Sequence, residues 1–248
     1  MPMSERATTF GELAEEYDRW RPSYPAAAVD WLAPPAPARV AELGAGTGKL
    51  TALLLARGLD VEVVEPDSRM LTVLGRNNPT ASRHCSDSTR IPVDDASLDA
   101  VLVADAWHWF EPDATVAEVR RVLRPGGWLG LVWNVPAEPR EPWERALADD
   151  SAAYDRRSKA STDGLNTGLS YLDPAELELR QVDWTWDVTP HHWASLRATT
   201  SMAIALGPDE RRASSEETRS MLECMLGTRV GDTLPMRNVA SCVRWTPR

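Results

Sequence analysis

One short stretch has the residue types and spacing to hold a charged small molecule: Glu42-Leu43-Gly44-Ala45-Gly46-Thr47-Gly48-Lys49. Gly44, Gly46 and Gly48 alternate with small residues, so the backbone can take positive φ and approach a ligand closely. Apolar residues precede the stretch, and an apolar periodic segment, Leu50 to Leu59, follows it. The pattern is strand, tight turn, helix, and the free N–H groups at the helix start suit an anionic group. The spacing is G-x-G-x-G, whereas a dinucleotide site wants G-x-G-x-x-G, which disfavours a nicotinamide-dependent oxidoreductase. Glu65 follows Glu42 by 23 residues, at the carboxyl end of the next predicted strand, Val61 to Glu65. Ligands of doubly wound sheets bind at such ends, and one carboxylate there can accept from both hydroxyls of a ribose.

These residues, as E-L-G-A-G-T-G and E-P-x-x-x-M (Glu65, Pro66, Met70), resemble the motifs of class I S-adenosylmethionine-dependent methyltransferases. The nearest group is the one that includes the ubiquinone-biosynthesis and trans-aconitate methyltransferases (type 11). The resemblance implies S-adenosyl-L-methionine as cofactor and S-adenosyl-L-homocysteine as product. It implies that the loop of Gly44, Gly46 and Gly48 wraps the amino-acid half of the cofactor and that Glu42 holds its ammonium. Glu65 then binds the ribose and Met70 lines the adenine, although Met70 suits core packing equally. Cys85 to Pro92 resembles the family's G-x-A-x-x-L-P segment, which implies that Asp87 meets the adenine amino group and the Ser88 N–H a ring nitrogen. A surface turn is the plainer reading of that segment.

Further along, Ala104-Asp105-Ala106-Trp107-His108-Trp109-Phe110 resembles the A-x-H-W-F ending of the trans-aconitate-like branch. The resemblance puts Ala104 against the cofactor and Trp107, His108 and Trp109 beside the acceptor. Aromatic faces suit a cationic methyl-sulfur centre. His108 is the candidate base, because imidazole can take a proton near neutral pH; a loop-orienting role is its structural alternative. Near the N-terminus, A-E-E-Y-D-R-W-R-P-S-Y-P resembles the family's cap, making Tyr24 a candidate cofactor contact and Tyr17 a candidate acceptor contact with Arg21 behind it. An amphipathic helix pair with Pro25 at position N1 explains the same residues without a ligand. L-R-A-T-T-S-M resembles the segment that lids the acceptor, so Arg197 is a candidate acceptor contact.

The elements that must position these residues follow from periodicity and breakers. Helical spacing covers Phe10 to Trp20 and Ala26 to Leu32, and the proline-rich 33–38 delivers the chain to a strand at Arg39 to Leu43. Helices are expected at Lys49–Arg57, Arg69–Arg76, Pro112–Arg124, His191–Ala205 and Glu210–Leu226. The remaining strands fall within Ser82–Ile91, and at Ala100–Ala104, Trp128–Trp133, Glu176–Val188 and Arg237–Trp245. Trp184 and Trp186 share one strand face and suit either a pocket or the core. Gly164 and Gly168 punctuate a polar, loop-rich segment. The resemblance implies how these elements assemble: an α/β fold with a seven-stranded Rossmann-like, doubly wound sheet of order 3-2-1-4-5-7-6 and its last strand antiparallel. One domain is expected over 1–248: a helical cap at 1–35, a cofactor-binding core at 36–136, and acceptor-side helices with the final strand pair at 137–248.

The net charge of −10 argues against a nucleic-acid partner, since such surfaces are basic. No 18-residue apolar stretch implies a membrane span. The first residues carry no apolar signal segment. Cys85, Cys224 and Cys242 are odd in number and far apart, which suits reduced thiols in a cytoplasm and no metal site. The expected activity is methyl transfer to a small-molecule acceptor by in-line displacement. The aromatic-rich lid segment and strand ends suggest an aromatic or indole-like metabolite. A small carboxylate paired by Arg197 or Arg21 is the alternative, as is a protein that binds the cofactor without catalysis. Oligomeric state stays open.

Overall fold

The computed structural model describes residues 9–149, 169–204, 206–227 and 232–247, so the expectation for Gly164 and Gly168 lies outside the described residues. After a 3-10 turn at Thr9–Leu13 come α1 (Ala14–Trp20) and α2 (Ala26–Leu32). A first αβ series follows: β1 (Arg39–Leu43), α3 (Lys49–Leu55), β2 (Asp60–Val64), α4 (Ser68–Asn77) and β3 (Ser82–His84). Then come β4 (Leu98–Ala104), α5 (Pro112–Val122) and β5 (Leu123–Pro136). The C-terminal part contributes β6 (Leu177–Val188), α6 (Pro190–Ala198), α7 (Ser201–Ile204), α8 (Pro208–Leu226) and β7 (Leu234–Trp245).

The seven strands form one sheet of order β3-β2-β1-β4-β5-β7-β6, as the sequence predicts. β1, β2, β3, β4 and β5 pair in parallel, and β7 runs antiparallel to both β5 and β6. Central parallel strands are covered on both faces, which is why β1 and β4 read as continuous apolar runs. One cluster on the sheet gathers Val40, Leu54, Val63 and Leu102 with Ala28, Val29 and Leu32 of α2. The opposite cluster gathers Leu43, Val101, Leu131 and Trp245 with Val119 and Val122 of α5. Trp128 Nε1 donates to the Leu32 carbonyl at 2.7 Å, fastening α2 to β5.

Several element boundaries shift: α3 ends at Leu55, and β4, β5 and β7 begin earlier than expected, at Leu98, Leu123 and Leu234. The helix foreseen over His191–Ala205 breaks after Ala198. Thr199 Oγ1 donates to the Leu196 carbonyl and Thr200 Oγ1 to that of Arg197, so adjacent hydroxyls compete for the backbone acceptors of the helix. The helix before Pro125 ends at Val122, two residues early, because Leu123 already pairs with Leu98 as strand. Pro25 is the N-cap of α2, one place before the expected N1.

Among the described residues no helix is long and apolar enough to cross a membrane, and no group of acidic, His and Cys side chains could hold a metal ion. The three cysteines are free; Cys85 and Cys224 are exposed and Cys242 is buried.

Candidate functional site

The site stands where β1, β4 and β5 release the chain at their carboxyl ends. A cavity of about 420 Å³ opens there, within the usual size of a small-molecule site. Glu42, Gly44 and Ala45 form its floor from β1 and the glycine loop; Ala104, Asp105, Asn134 and Pro136 come from β4 and β5. The cap supplies Tyr17, Arg21 and Tyr24. The C-terminal elements supply Trp186, Trp193, Leu196, Arg197 and Asn238.

The glycine turn takes the backbone its composition allows: φ is +64° at Gly44 and +56° at Gly46. A Cβ on Gly44 would stand 2.7 Å from the Ala106 Cβ, so this position has no room for a side chain. Glu42 is buried in a strand of apolar neighbours, and the Thr51 hydroxyl of α3 donates to it. Burial pushes its carboxyl up to about 8. Glu65 is also buried; its oxygens accept from the N–H of Gly46 and of Asp67, each at 2.9 Å. Burial raises its pKa too, against those two backbone donors.

Asp105 was absent from the candidates drawn from the sequence. It ends β4 in the left-handed region, φ +51°, which Asp tolerates better than most residues. Its Oδ2 accepts from Tyr24 OH at 2.9 Å, and its Oδ1 from the Asn134 N–H at 3.2 Å. Burial raises the Asp105 pKa; the Tyr24 hydroxyl and the nearby Arg21 guanidinium oppose the shift. The Tyr24 hydroxyl is held well above its ordinary pKa, first by burial and then by the Asp105 charge. A positive φ on a non-glycine residue at a cavity edge signals such a site, but φ is not readable from residue types.

Of the residues proposed from the sequence, Tyr17, Tyr24, Glu42, Gly44, Ala104 and Arg197 line this cavity. Gly46, Gly48, Glu65, Pro66, Met70, Asp87 and Ser88 do not, nor do Trp107, His108 and Trp109. Gly46 and Glu65 meet each other through a backbone hydrogen bond. Gly48 is the N-cap of α3, at φ +89°. Met70 packs with Ala14 and Val73 beneath Tyr17. Asp87 turns back on its own loop, accepting from Thr89 N–H and Oγ1, while the Ser88 hydroxyl pairs with that of Thr115. The Pro66 carbonyl faces the Cys85 thiol.

Trp107 is 3% exposed, packs into the core beside α5 and does not line this cavity. His108 sits half-buried in the 3-10 turn Trp107–Trp109, its ring centroid 4.8 Å from that of Trp109, and burial lowers its pKa. Trp186 and Trp193 take the aromatic places at the cavity. Trp186 stacks with Trp184 at 6.4 Å and meets the His192 ring edge-on at 5.0 Å. His192 donates to the Trp20 carbonyl at 3.0 Å, which joins α6 to the cap. Arg197 is buried, and its pKa falls to about 10 for that reason.

The residues present fit an S-adenosylmethionine-like cofactor. The backbone at Gly44 allows close approach, a buried carboxylate waits at Glu42, and the buried Asn134 Oδ1 has no protein donor.

The model of the methyltransferase domain family matches residues 41–131. An uncharacterised methyltransferase of Mycobacterium tuberculosis is 40% identical over 243 residues, covering 98% of this chain and 97% of its own. A solved structure from Anaeromyxobacter dehalogenans, described as a type II methyltransferase, superposes with a TM-score of 0.67 at 22% identity over 90% of this chain and 96% of that one. A phosphoethanolamine N-methyltransferase of Haemonchus contortus, solved with phosphomonomethylethanolamine and S-adenosylhomocysteine, gives 0.52 at 14% identity over 90% of this chain and 52% of that one. The near full-length relative and the matched domain, on a sheet of this order, establish the family: the chain belongs to the class I S-adenosylmethionine-dependent methyltransferases.

Proposed function

We propose that this enzyme methylates a planar, aromatic small molecule of indole-like shape, using S-adenosyl-L-methionine and releasing S-adenosyl-L-homocysteine. The observation that supports this acceptor class is that Trp186, Trp193, Leu196 and Pro136 line the same cavity as Glu42 and Gly44. The bound cofactor supplies a methyl group on a cationic sulfur, open to in-line attack by an acceptor lone pair or electron-rich carbon. The chain's own work is to hold both reactants at attack distance and to keep water out. Gly44, Gly46 and Gly48 cradle the amino-acid half, Glu42 takes its ammonium, and Glu65 the ribose. Tyr24 and Ala104 flank these groups. Asp87, Ser88, Pro66 and Met70 form the adenine side in this reading, with Tyr17 and Arg197 on the acceptor side. His108 is the candidate base for an acceptor that must lose a proton, and burial keeps it in the neutral form that can accept one. The whole chain acts as one domain, and the setting is cytoplasmic.

A second reading, a small carboxylate acceptor, is favoured by two guanidinium groups at the same cavity, Arg21 and Arg197. Transfer of a labelled methyl group to indoles, phenols and small di- and tricarboxylates separates the two. Label in indoles or phenols is expected. Label in the carboxylates alone selects the second reading, and cofactor binding without any transfer selects a non-catalytic binding protein.

A further inference from the structure

Asp105 has a setting that the cofactor motifs do not account for. Leu43 pairs with Val103 in the sheet, so where β4 ends the chain runs beside the glycine loop. There the Asp105 N–H still donates to the Val132 carbonyl, while its side chain turns into the cavity with Glu42. Two donors, Tyr24 OH from the cap and Asn134 N–H from β5, orient the carboxylate. The charged and titratable groups near it include Arg21 and Tyr17 from α1 and the loop after it and Tyr24 before α2, and Glu42 of β1, Lys49 of α3 and Arg197 of α6 line the same cavity. Among the described residues no ion pair reaches Asp105, so this partly buried carboxylate meets the cavity with hydrogen bonds but no bonded cation. Such a group gains when a ligand brings positive charge to it.

We propose that Asp105 is a specificity-determining residue that favours the cationic, sulfonium form of the cofactor over its neutral thioether product. The inference rests on the cofactor reading above. The ammonium is present before and after transfer and is met by Glu42, whereas the charge on sulfur exists only before transfer. A carboxylate at the cavity end of β4 therefore separates substrate from product by charge, holding the first and letting the second go.

The test is calorimetric titration with two probes: S-adenosylhomocysteine, neutral at sulfur, and sinefungin, which carries an amine where the methyl-sulfur centre stands. Native protein, Asp105→Asn and Tyr24→Phe are compared, with unfolding curves to confirm that each variant folds. Asn suits the backbone here because it too tolerates φ > 0. Native protein is expected to prefer sinefungin. Asp105→Asn is expected to lower that preference by about tenfold, the scale of one charge-assisted contact, and to change homocysteine-product affinity by less than about threefold. Tyr24→Phe removes one of the two donors that orient the carboxylate but keeps its charge, so it is expected to lower the preference by less than Asp105→Asn does; a fall as large as that in Asp105→Asn would overturn the assignment to the Asp105 charge. An unchanged preference in Asp105→Asn, an equal loss for both probes, or no preference in native protein overturns the inference and leaves the cofactor reading standing. Failure of folded native protein to bind either probe removes the cofactor reading itself.

Discussion

The Gly46 N–H donates to Glu65 Oε2 at 2.9 Å, tying the glycine loop to the carboxylate that follows β2. The Asp67 N–H holds the other oxygen, so Glu65 organises two loops from one buried position. Removing it costs the loop its anchor and, in the proposed function, the ribose its acceptor. Glu65→Ala is expected to weaken S-adenosylhomocysteine binding by about 2 kcal/mol, the scale of hydrogen bonds to a charged group. Calorimetry on folded protein measures this, and affinity within twofold of native would take Glu65 out of the ribose contact.

Gly44 and Gly126 make a matched pair, since both have positive φ, +64° and +82°. A Cβ on Gly44 would crowd Ala106 at 2.7 Å and Phe110 at 3.1 Å, whereas one on Gly126 would meet nothing within 4 Å. Gly126→Ala should cost only the backbone strain, about 1 kcal/mol. Gly44→Ala adds a clash of the kind that costs about 1–3 kcal/mol and should also abolish cofactor binding. Denaturant unfolding of the two variants tests the order, and equal losses would show that the loop has room to shift.

Glu42 sets a pH dependence. Its pKa in the folded protein is about 8, above that of an unfolded glutamate, so the folded state holds the proton more tightly. Stability from this group is full below the unfolded value and is lost as pH rises toward 8. Glu42→Gln should therefore flatten the decline in stability between about pH 5 and 8. Ligand ammonium favours the charged form, so binding at pH 6 to 7 should release a proton in native protein and release less in Glu42→Gln. Titration in buffers of different ionisation enthalpy reads that difference; identical proton release in both would assign it to another group.

Trp107 and His108 are neighbours with different loads. Trp107→Ala empties a core position and should cost about 3–5 kcal/mol of stability. His108 is half-buried and its replacement by Ala should cost about 1 kcal/mol or less. Neither should change S-adenosylhomocysteine affinity in protein that remains folded. A large affinity loss in His108→Ala would bring its side chain to the cofactor.

The sequence by itself determined the order of elements and the glycine turn, and its resemblance to a methyltransferase family supplied the sheet topology. The first two rest on short-range signals: apolar runs bounded by Pro and Gly, and a turn whose φ values only glycine meets freely. β1 begins and ends where predicted, at Arg39 and Leu43, because a proline-rich segment and a glycine loop flank it. What only the tertiary structure decided is which aromatic and charged groups reach the cavity. Trp107, Trp109, Trp186 and Trp193 have the same chemistry on paper; packing buries Trp107 in the core and brings the last two to the site. Tyr24 and Asp105 are 81 residues apart, and their hydrogen bond exists because α2 packs on β5 beside β4. Contacts between distant segments depend on how helices settle on the sheet, a sum of many small packing energies that leaves no pattern in local spacing.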